Sequence, residues 1–512
     1  MYLLKELDRR NPTEIGQDLY RFAVDLYPIC RSITGNGIRR TLTMIEDRII
    51  CLIIVLLPLW GCTSSSPASS APLSPRRSSS SYPLRVSSNH RYLVDQNNVP
   101  VLLVGDSPHS MFVNLDSTEL ATYLANRQGH RFNILWVEAL CSDYIPNCRN
   151  DLSTYDGIKP FTSGTDKSDY DISTTNPAFW SRVDSYVRTS ADYGMTILFD
   201  VWETGALMPL ARTSGNRKMY DFGAFLGNRY KDVPNIIWIT GNDFQTWADN
   251  TDNMLMQNLM AGILSTDKNH LQTTELNRNV SGSLDDSLLV PYTTLAGAYD
   301  YYCAYGETLA QYNQASPVPV FFEEGYYEYN PRFFGNKITT LSLRTQEWWA
   351  ALSGATAGQM YGNERVYPFS VAWQRYLDTV AVTELGYLTS LLESIRWYDL
   401  IPDQNHTVVT SGYGTRDPGQ NPNCINTNNY VTTSYLADGT TSVSYTPTSA
   451  NLTVDLSRIS DLVTARWYDP TSGSYNTISG SPFSNSGTKS FSTPGNNSAG
   501  NSDWVLLLTA SK

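Results

Sequence analysis

What this chain has little of narrows its chemistry before any motif is read. Five histidines in 512 residues are too scattered for a zinc signature, and the seven cysteines form no CxxC pattern. Neither a metal site nor a bound cofactor is therefore expected. Basic residues do not run beyond short pairs such as Arg9-Arg10 and Arg39-Arg40, and the net charge is −12. Phosphate recognition needs clustered Lys and Arg, so no nucleic-acid partner is expected. The apolar run "IICLIIVLLPLW", Ile49 to Trp60, is too short to cross a bilayer as a helix.

That run has the length of a signal-peptide core, and Gly61 and Cys62 follow it in the manner of a bacterial lipoprotein cleavage box. Cys62 would then be the lipidated first residue of an exported protein held to a membrane by its lipid alone. Residues 63–84 are rich in Ser and Pro and read as a flexible tether. A signal peptide normally opens a chain, so residues 1–48 are an extra segment, a fusion or a misplaced start with Met44 as an alternative initiator. The stretch "EIGQDLYRFAVDLYPICRSITGNGIRRTL" has helical apolar spacing and resembles the opening of an aminopeptidase-like family over about Thr13 to Ile50.

The remainder is globular in composition, with 41 % hydrophobic residues, 33 Tyr and 12 Trp. Flat rings line carbohydrate clefts, but they also fill cores. Over residues 85–400 short apolar runs alternate with longer amphipathic stretches, the pattern of repeated βα units. Eight candidate strands can be counted: Val101 to Gly105, Asn133 to Val137, Thr196 to Val201, Ile236 to Thr240, Leu271 to Glu275, Ala298 to Tyr302, Val318 to Phe322 and Gly358 to Tyr361. The expected fold class is α/β, a (β/α)8 TIM barrel. Residues 401–512 shift to Ser, Thr, Asn and Gly with short alternating runs and turns such as Asp438-Gly439, which predicts a small all-β sandwich.

Barrel enzymes work at the C-terminal ends of their strands. Following the predicted strands are Asp106 and His109, Glu138, Glu203, Asn242 and Asp243, Asn277, Tyr305, Glu323 and Glu324, and Asn363 and Glu364. Each could instead be a helix cap. Acidic groups after so many strands would converge on one mouth and perturb one another's acidity, as acid–base chemistry requires. Glu323 and Glu324 should point to opposite faces, and with Phe321 and Phe322 before them the pattern does not choose between them. Candidates for a ligand-binding rim at that mouth are Asp106, His109, Trp136, Glu138, Glu203, Asn242, Tyr361 and Asn363, with Trp202 and Trp247 as weaker stacking candidates. In an exported chain Cys141 and Cys148 of "CSDYIPNC" are placed to close a small disulfide loop.

The stretches "RYLVDQNNVPVLLVGDSPHSMF", "RYKDVPNIIWITGNDFQTW", "PVFFEEGYYEYN", "LSGATAGQMYGN" and "RWYDLIPDQNH" together resemble the apiosidase-like glycoside hydrolase family over about residues 87 to 510. That resemblance implies a (β/α)8 barrel followed by a collagen-binding-like domain. It implies hydrolysis by two carboxylates, Asp243 in "GND" as acid/base and Glu324 in "FFEEGYYE" as nucleophile, with Glu323 left to a structural role. The chain departs from the family pattern at His109, at "GND" where "GGD" is usual, and at "EEG" where "GEP" is usual, beside the reactive groups. The expectation is a retaining glycosidase acting on a polysaccharide side chain, with apiose-containing pectin as one substrate. The rival readings are a non-catalytic glycan-binding lipoprotein and a collagen-binding adhesin. Nothing in the C-terminal residues themselves speaks for collagen, and a stabilising appendage is the reading they favour.

Overall fold

The computed structural model describes residues 82–276, 279–330, 335, 337–417, 419 and 421–511. The predicted signal-like segment, Cys62 and nearly all of the tether lie outside the described residues, as does Asn277.

Eight parallel strands form the barrel: β1 (Leu103–Asp106), β2 (Ile134–Glu138), β3 (Thr196–Glu203), β4 (Ile236–Gly241), β5 (Gln272–Thr274), β6 (Ala296–Asp300), β7 (Val320–Glu324) and β8 (Gly358–Tyr361). They pair in the order β5-β4-β3-β2-β1-β8-β7-β6, and Val280–Gly282 adds antiparallel to the outer edge of β6. The two edges meet where the N–H groups of Thr294 and Leu295 donate to the Gln272 carbonyl, at 2.8 and 3.2 Å. Two strands are displaced from their expected places: the sixth begins two residues earlier and the seventh two residues later. Between β5 and β6 the described residues form that antiparallel strand and a 3-10 turn in place of an α-helix.

Among the described residues the helices of eight residues or more that cover the outside are α1 (Ser117–Gly129), α2 (Pro177–Asp192), α3 (Thr204–Tyr230, kinked at Gly215), α4 (Asn250–Thr266), α5 (Tyr305–Tyr312), α6 (Thr340–Ala351) and α7 (Val380–Glu393). Their starts are written in side chains. Asp116 and Glu119 form a reciprocal capping box on α1, Asn176 caps α2 with Pro177 behind it, and Thr339 with Ser342 boxes α6. Inside the barrel Leu103, Ile134, Trp136, Leu198, Ile237, Ile239, Phe321 and Met360 form one apolar cluster. Leu93 and Val101, from a three-stranded antiparallel sheet at residues 85–101, and Leu84 just before it belong to the same cluster and close the end where the barrel strands begin.

The C-terminal region holds a six-stranded and a three-stranded antiparallel sheet. In the larger one, Trp504–Ala510 lies between Thr441–Thr446 and Val463–Tyr468. Its first five residues, "WVLLL", are continuously apolar because both faces of the strand are buried there. Leu506 and Leu508 face the sandwich core, while Val505 and Leu507 join the cluster that includes Trp348 of α6 and Leu385 of α7. Barrel and sandwich thus share one core. Arg344 of α6 sits in it, its guanidinium bonded twice to Asp503 (2.7 and 2.8 Å) and once to Glu384 of α7 (2.6 Å). Tyr445 donates to the same Asp503 and stacks on Trp348.

Two expected outcomes follow from this interface. Removing one partner from a buried, hydrogen-bonded ion pair leaves a stranded charge, so Arg344→Met should cost roughly 3–5 kcal/mol of stability in a urea titration. Glu347, also on α6, is buried, and burial pushes its carboxyl up to about 8, with the neighbouring Gln346 side chain only partly opposing that rise. Its native state therefore holds a proton that the unfolded chain releases near pH 4.5, and stability declines as pH rises from there to about 8. Glu347→Gln should raise Tm by a margin that grows between pH 5 and 8, measured as the difference from wild type.

Candidate active site

Strand β4 ends in three consecutive residues at positive φ: Gly241 (132°), Asn242 (63°) and Asp243 (54°). Left-handed conformations at non-glycine residues are costly and concentrate where geometry is needed for function. Here they turn the chain sharply across the barrel mouth. The Asn242 amide donates to Glu138 Oε1 at the tip of β2 (3.1 Å), and Asp243 N–H donates to Glu275 Oε2 after β5 (2.7 Å). The Asp243 carboxyl then accepts from Tyr144 at Oδ2 (2.6 Å) and from Tyr299 at Oδ1 (3.1 Å). The helix-cap reading of Asp243 falls away, because α4 begins later and is capped by Asp249.

Across the mouth, β7 carries a bulge. Ala298 of β6 pairs with Phe322 and Tyr299 with Glu324, so Glu323 is skipped in the register. A bulge re-aims the side chains around it. Simple alternation would send Glu324 outward after Phe322, which belongs to the outer cluster. Instead its Oε1 accepts from Tyr301, its Oε2 accepts from Tyr327 (3.3 Å), and it feels the charge of Asp243. Glu323 occupies the barrel interior, its carboxyl filling the space that a side chain at Gly297 would take. Both glutamates are buried, and burial raises both above the ordinary carboxylate range.

The Tyr327 hydroxyl that donates to Glu324 lies 2.9 Å from His109 Nε2, whose ring stands edge-on to Trp136. Burial lowers the His109 pKa to about 3, so the ring is neutral and fills a hydrogen-bonding role. Glu138 lies beside it, raised first by burial and then by Glu203 and Asp200. Glu203 is pushed up to about 8 by burial; it caps α3 through the Ala206 N–H (2.9 Å) and accepts from Ser142 (3.2 Å). Trp136 is fully buried and donates to Asp200 (3.3 Å).

Thus His109, Trp136, Glu138, Glu203, Asn242, Asp243 and Glu324 come together at one end of the barrel. Asp106, Tyr361 and Asn363 do not, which corrects their expected place on the rim. Asp106 points behind the sheet, where Arg127 and Tyr123 of α1 hold it at 2.7 and 2.8 Å. Tyr361 donates to Glu328, and Asn363 donates to the Tyr361 oxygen (2.9 Å), in the same buried layer. Trp202 is core, and Trp247 packs against that core. Cys141 and Cys148 are joined in a disulfide, and a second bridge links Cys303 to Cys424. Strand-end reasoning missed Tyr144, Tyr299, Tyr301, Tyr327 and Glu275. The spacing of Tyr299 in β6 and Tyr301 just after it was the available signal for two of them.

A barrel with paired carboxylates at the tips of its fourth and seventh strands is the architecture of a glycoside hydrolase, and the comparisons agree. The apiosidase-like catalytic domain matches residues 87–399, and the chain belongs to that family. Residues 422–509 match a domain described as "Putative collagen-binding domain of a collagenase". A glycoside hydrolase family 5 structure from Bacteroides vulgatus ATCC 8482 superposes with TM-score 0.69 at 21 % identity, covering 84 % of this chain and 92 % of that one. Another glycoside hydrolase structure gives 0.69 and 21 %, covering 84 % of this chain and 97 % of that one. A "Putative polysaccharide biosynthesis protein with aminopeptidase-like domain" from Clostridium acetobutylicum is 48 % identical over 40 residues, 8 % of this chain and only 9 % of that protein. The protein is a glycoside hydrolase of the apiosidase-like family.

The turn after β4 can be tested directly. A methyl group at Gly241 would overlap the Glu275 carbonyl, and φ of 132° already strains any L-residue. Gly241→Ala should lower both turnover and thermal stability, whereas Gly386→Ala, inside α7 where a Cβ meets open space, should leave turnover unchanged and raise thermal stability slightly; paired melting curves and rate assays check this.

Proposed function

We propose that this glycosidase works with retention, Asp243 acting as general acid/base and Glu324 as nucleophile, and that it removes a side-chain sugar from a pectin-type polysaccharide, apiosyl groups first. The observation carrying this reading is the carboxyl pair at the mouth: Asp243 held by the phenols of Tyr144 and Tyr299, Glu324 by those of Tyr301 and Tyr327. In the first step Glu324 attacks the anomeric carbon while the bond to the leaving oxygen breaks and that oxygen takes the Asp243 proton. In the second, the Asp243 carboxylate takes a proton from water, the water oxygen attacks the anomeric carbon, and Glu324 departs. A nucleophile needs a fixed direction of attack, and hydrogen bonds to both Glu324 oxygens supply one. Neutral His109, Glu138 and Asn242 offer donors and acceptors for sugar hydroxyls, and the buried ring of Trp136 supports His109 from below.

We also read the protein as an exported bacterial lipoprotein anchored at Cys62, on the surface or in the periplasm. Two disulfides in the folded part suit an oxidising compartment. The C-terminal sandwich serves as a stabilising appendage, since its sheet completes the core over α6 and α7.

A screen of pectic and hemicellulosic glycans with wild type, Asp243→Asn and Glu324→Gln tests the assignment. Sugar release should fall at least about a hundredfold in each variant, the scale on which positioned acid–base groups act. Unchanged release in both would overturn it.

A further inference from the structure

The loop between Cys141 and Cys148 does more than cover the barrel. Its disulfide closes an eight-residue ring over the mouth, with Cys141 fully buried and Ile145 in the main core. The Ser142 hydroxyl ties the ring to Glu203 (3.2 Å) and also accepts from the Tyr144 N–H (3.1 Å). On the far side Asn147 donates to the Pro368 carbonyl (3.2 Å), and Asn114 reaches Cys148 Sγ (3.8 Å). These anchors hold the ring in place, and Tyr144, whose own N–H is bonded to Ser142, projects from it.

Tyr144 is 38 % exposed, so it borders the open mouth, yet its hydroxyl lies 2.6 Å from Asp243 Oδ2. Its ring lies flat over Gly205 at the start of α3, where a Cβ would stand 2.7 Å from ring carbon Cε2. Only glycine at that point leaves room for the ring between Glu203 and Asp243. Asp243, Glu203 and Glu324 all lie within electrostatic reach of the phenol.

We propose that Tyr144 is a positioning residue for Asp243, held in place by the Cys141–Cys148 ring. The proposal rests on the acid/base reading above. A phenol can donate to a carboxylate oxygen, so Tyr144 stabilises Asp243 after it has given its proton to the leaving oxygen and before it recovers one from water. Tyr144 engages Oδ2, and Tyr299 engages Oδ1 at the longer 3.1 Å, so the carboxyl is oriented from both of its oxygens. The disulfide loop thereby sets the acid strength of a group on another strand.

The test is Tyr144→Phe beside Asp243→Asn and the double variant Cys141→Ala/Cys148→Ala. Methyl and 2,4-dinitrophenyl apiosides are the kinetic probes, and a carbon-13 carboxyl titration of Asp243, assigned by its loss in Asp243→Asn, is the direct one. In Tyr144→Phe the carboxyl should titrate higher by about one unit. For the methyl glycoside kcat should fall roughly tenfold or more with KM nearly unchanged, and the loss should be much smaller for dinitrophenolate, which leaves without a proton. The double variant should move the same way if it folds; Tyr144→Phe decides the matter if it does not. An unmoved Asp243 titration in Tyr144→Phe overturns the inference, even where Asp243→Asn is inactive. Full activity in Asp243→Asn overturns the acid/base reading itself, and this inference with it.

Discussion

Carboxyl groups crowded into a dry space repel one another and lose their hydration together. Glu138, Glu203, Glu275, Glu323 and Glu324, with Asp200, are all buried at or below one barrel mouth, and burial lifts every one of them above its ordinary range. Such a cluster survives by sharing protons and by finding donors. The donors found here are largely phenols, backbone N–H groups and indoles: Tyr301 and Tyr327 for Glu324, Ala206 N–H for Glu203, Trp136 for Asp200. The abundance of tyrosine in the composition, ambiguous at first, is partly explained by this demand. A phenol can serve a carboxylate without adding a competing positive charge.

The same constraint accounts for the odd backbone. A left-handed turn after β4 and a bulge in β7 are defects in a regular barrel, and each lies where a carboxyl must be turned from the wall toward the mouth. The regular remainder supports them. Apolar layers fill the barrel below the acids, a small sheet seals its far end, and the sandwich braces α6 and α7 around the Arg344 fork.

Much of this was legible in the residues. Eight strands were placed from their apolar runs, and the sandwich from its turns. Strand-end logic reached Glu138, Glu203, Asn242 and Asp243 because a residue leaving a barrel strand must go to the mouth or to the helices. It failed at Asp106, Tyr361 and Asn363 because position does not tell which of the two. The deciding partner was Arg127, a helix residue twenty-one positions from Asp106 that needed a buried counter-charge. Alternation was silent on Glu323 and Glu324 for a deeper reason: a bulge breaks the period of two that the argument assumes. Tyr144 and Tyr327 come from loops, whose paths no periodicity encodes.

Trp504–Ala510 lies centrally in the large sheet, yet both of its neighbours precede it by more than thirty residues. During synthesis the barrel helices emerge long before the strand that covers them. Until residue 510 has cleared the ribosome, the face bearing Trp348 and Leu385 has no complete sheet to meet, and the buried fork has no Asp503. The enzyme's assembly is thus ordered in time: the barrel must wait, partly uncovered, for a strand made more than a hundred residues after its last helix.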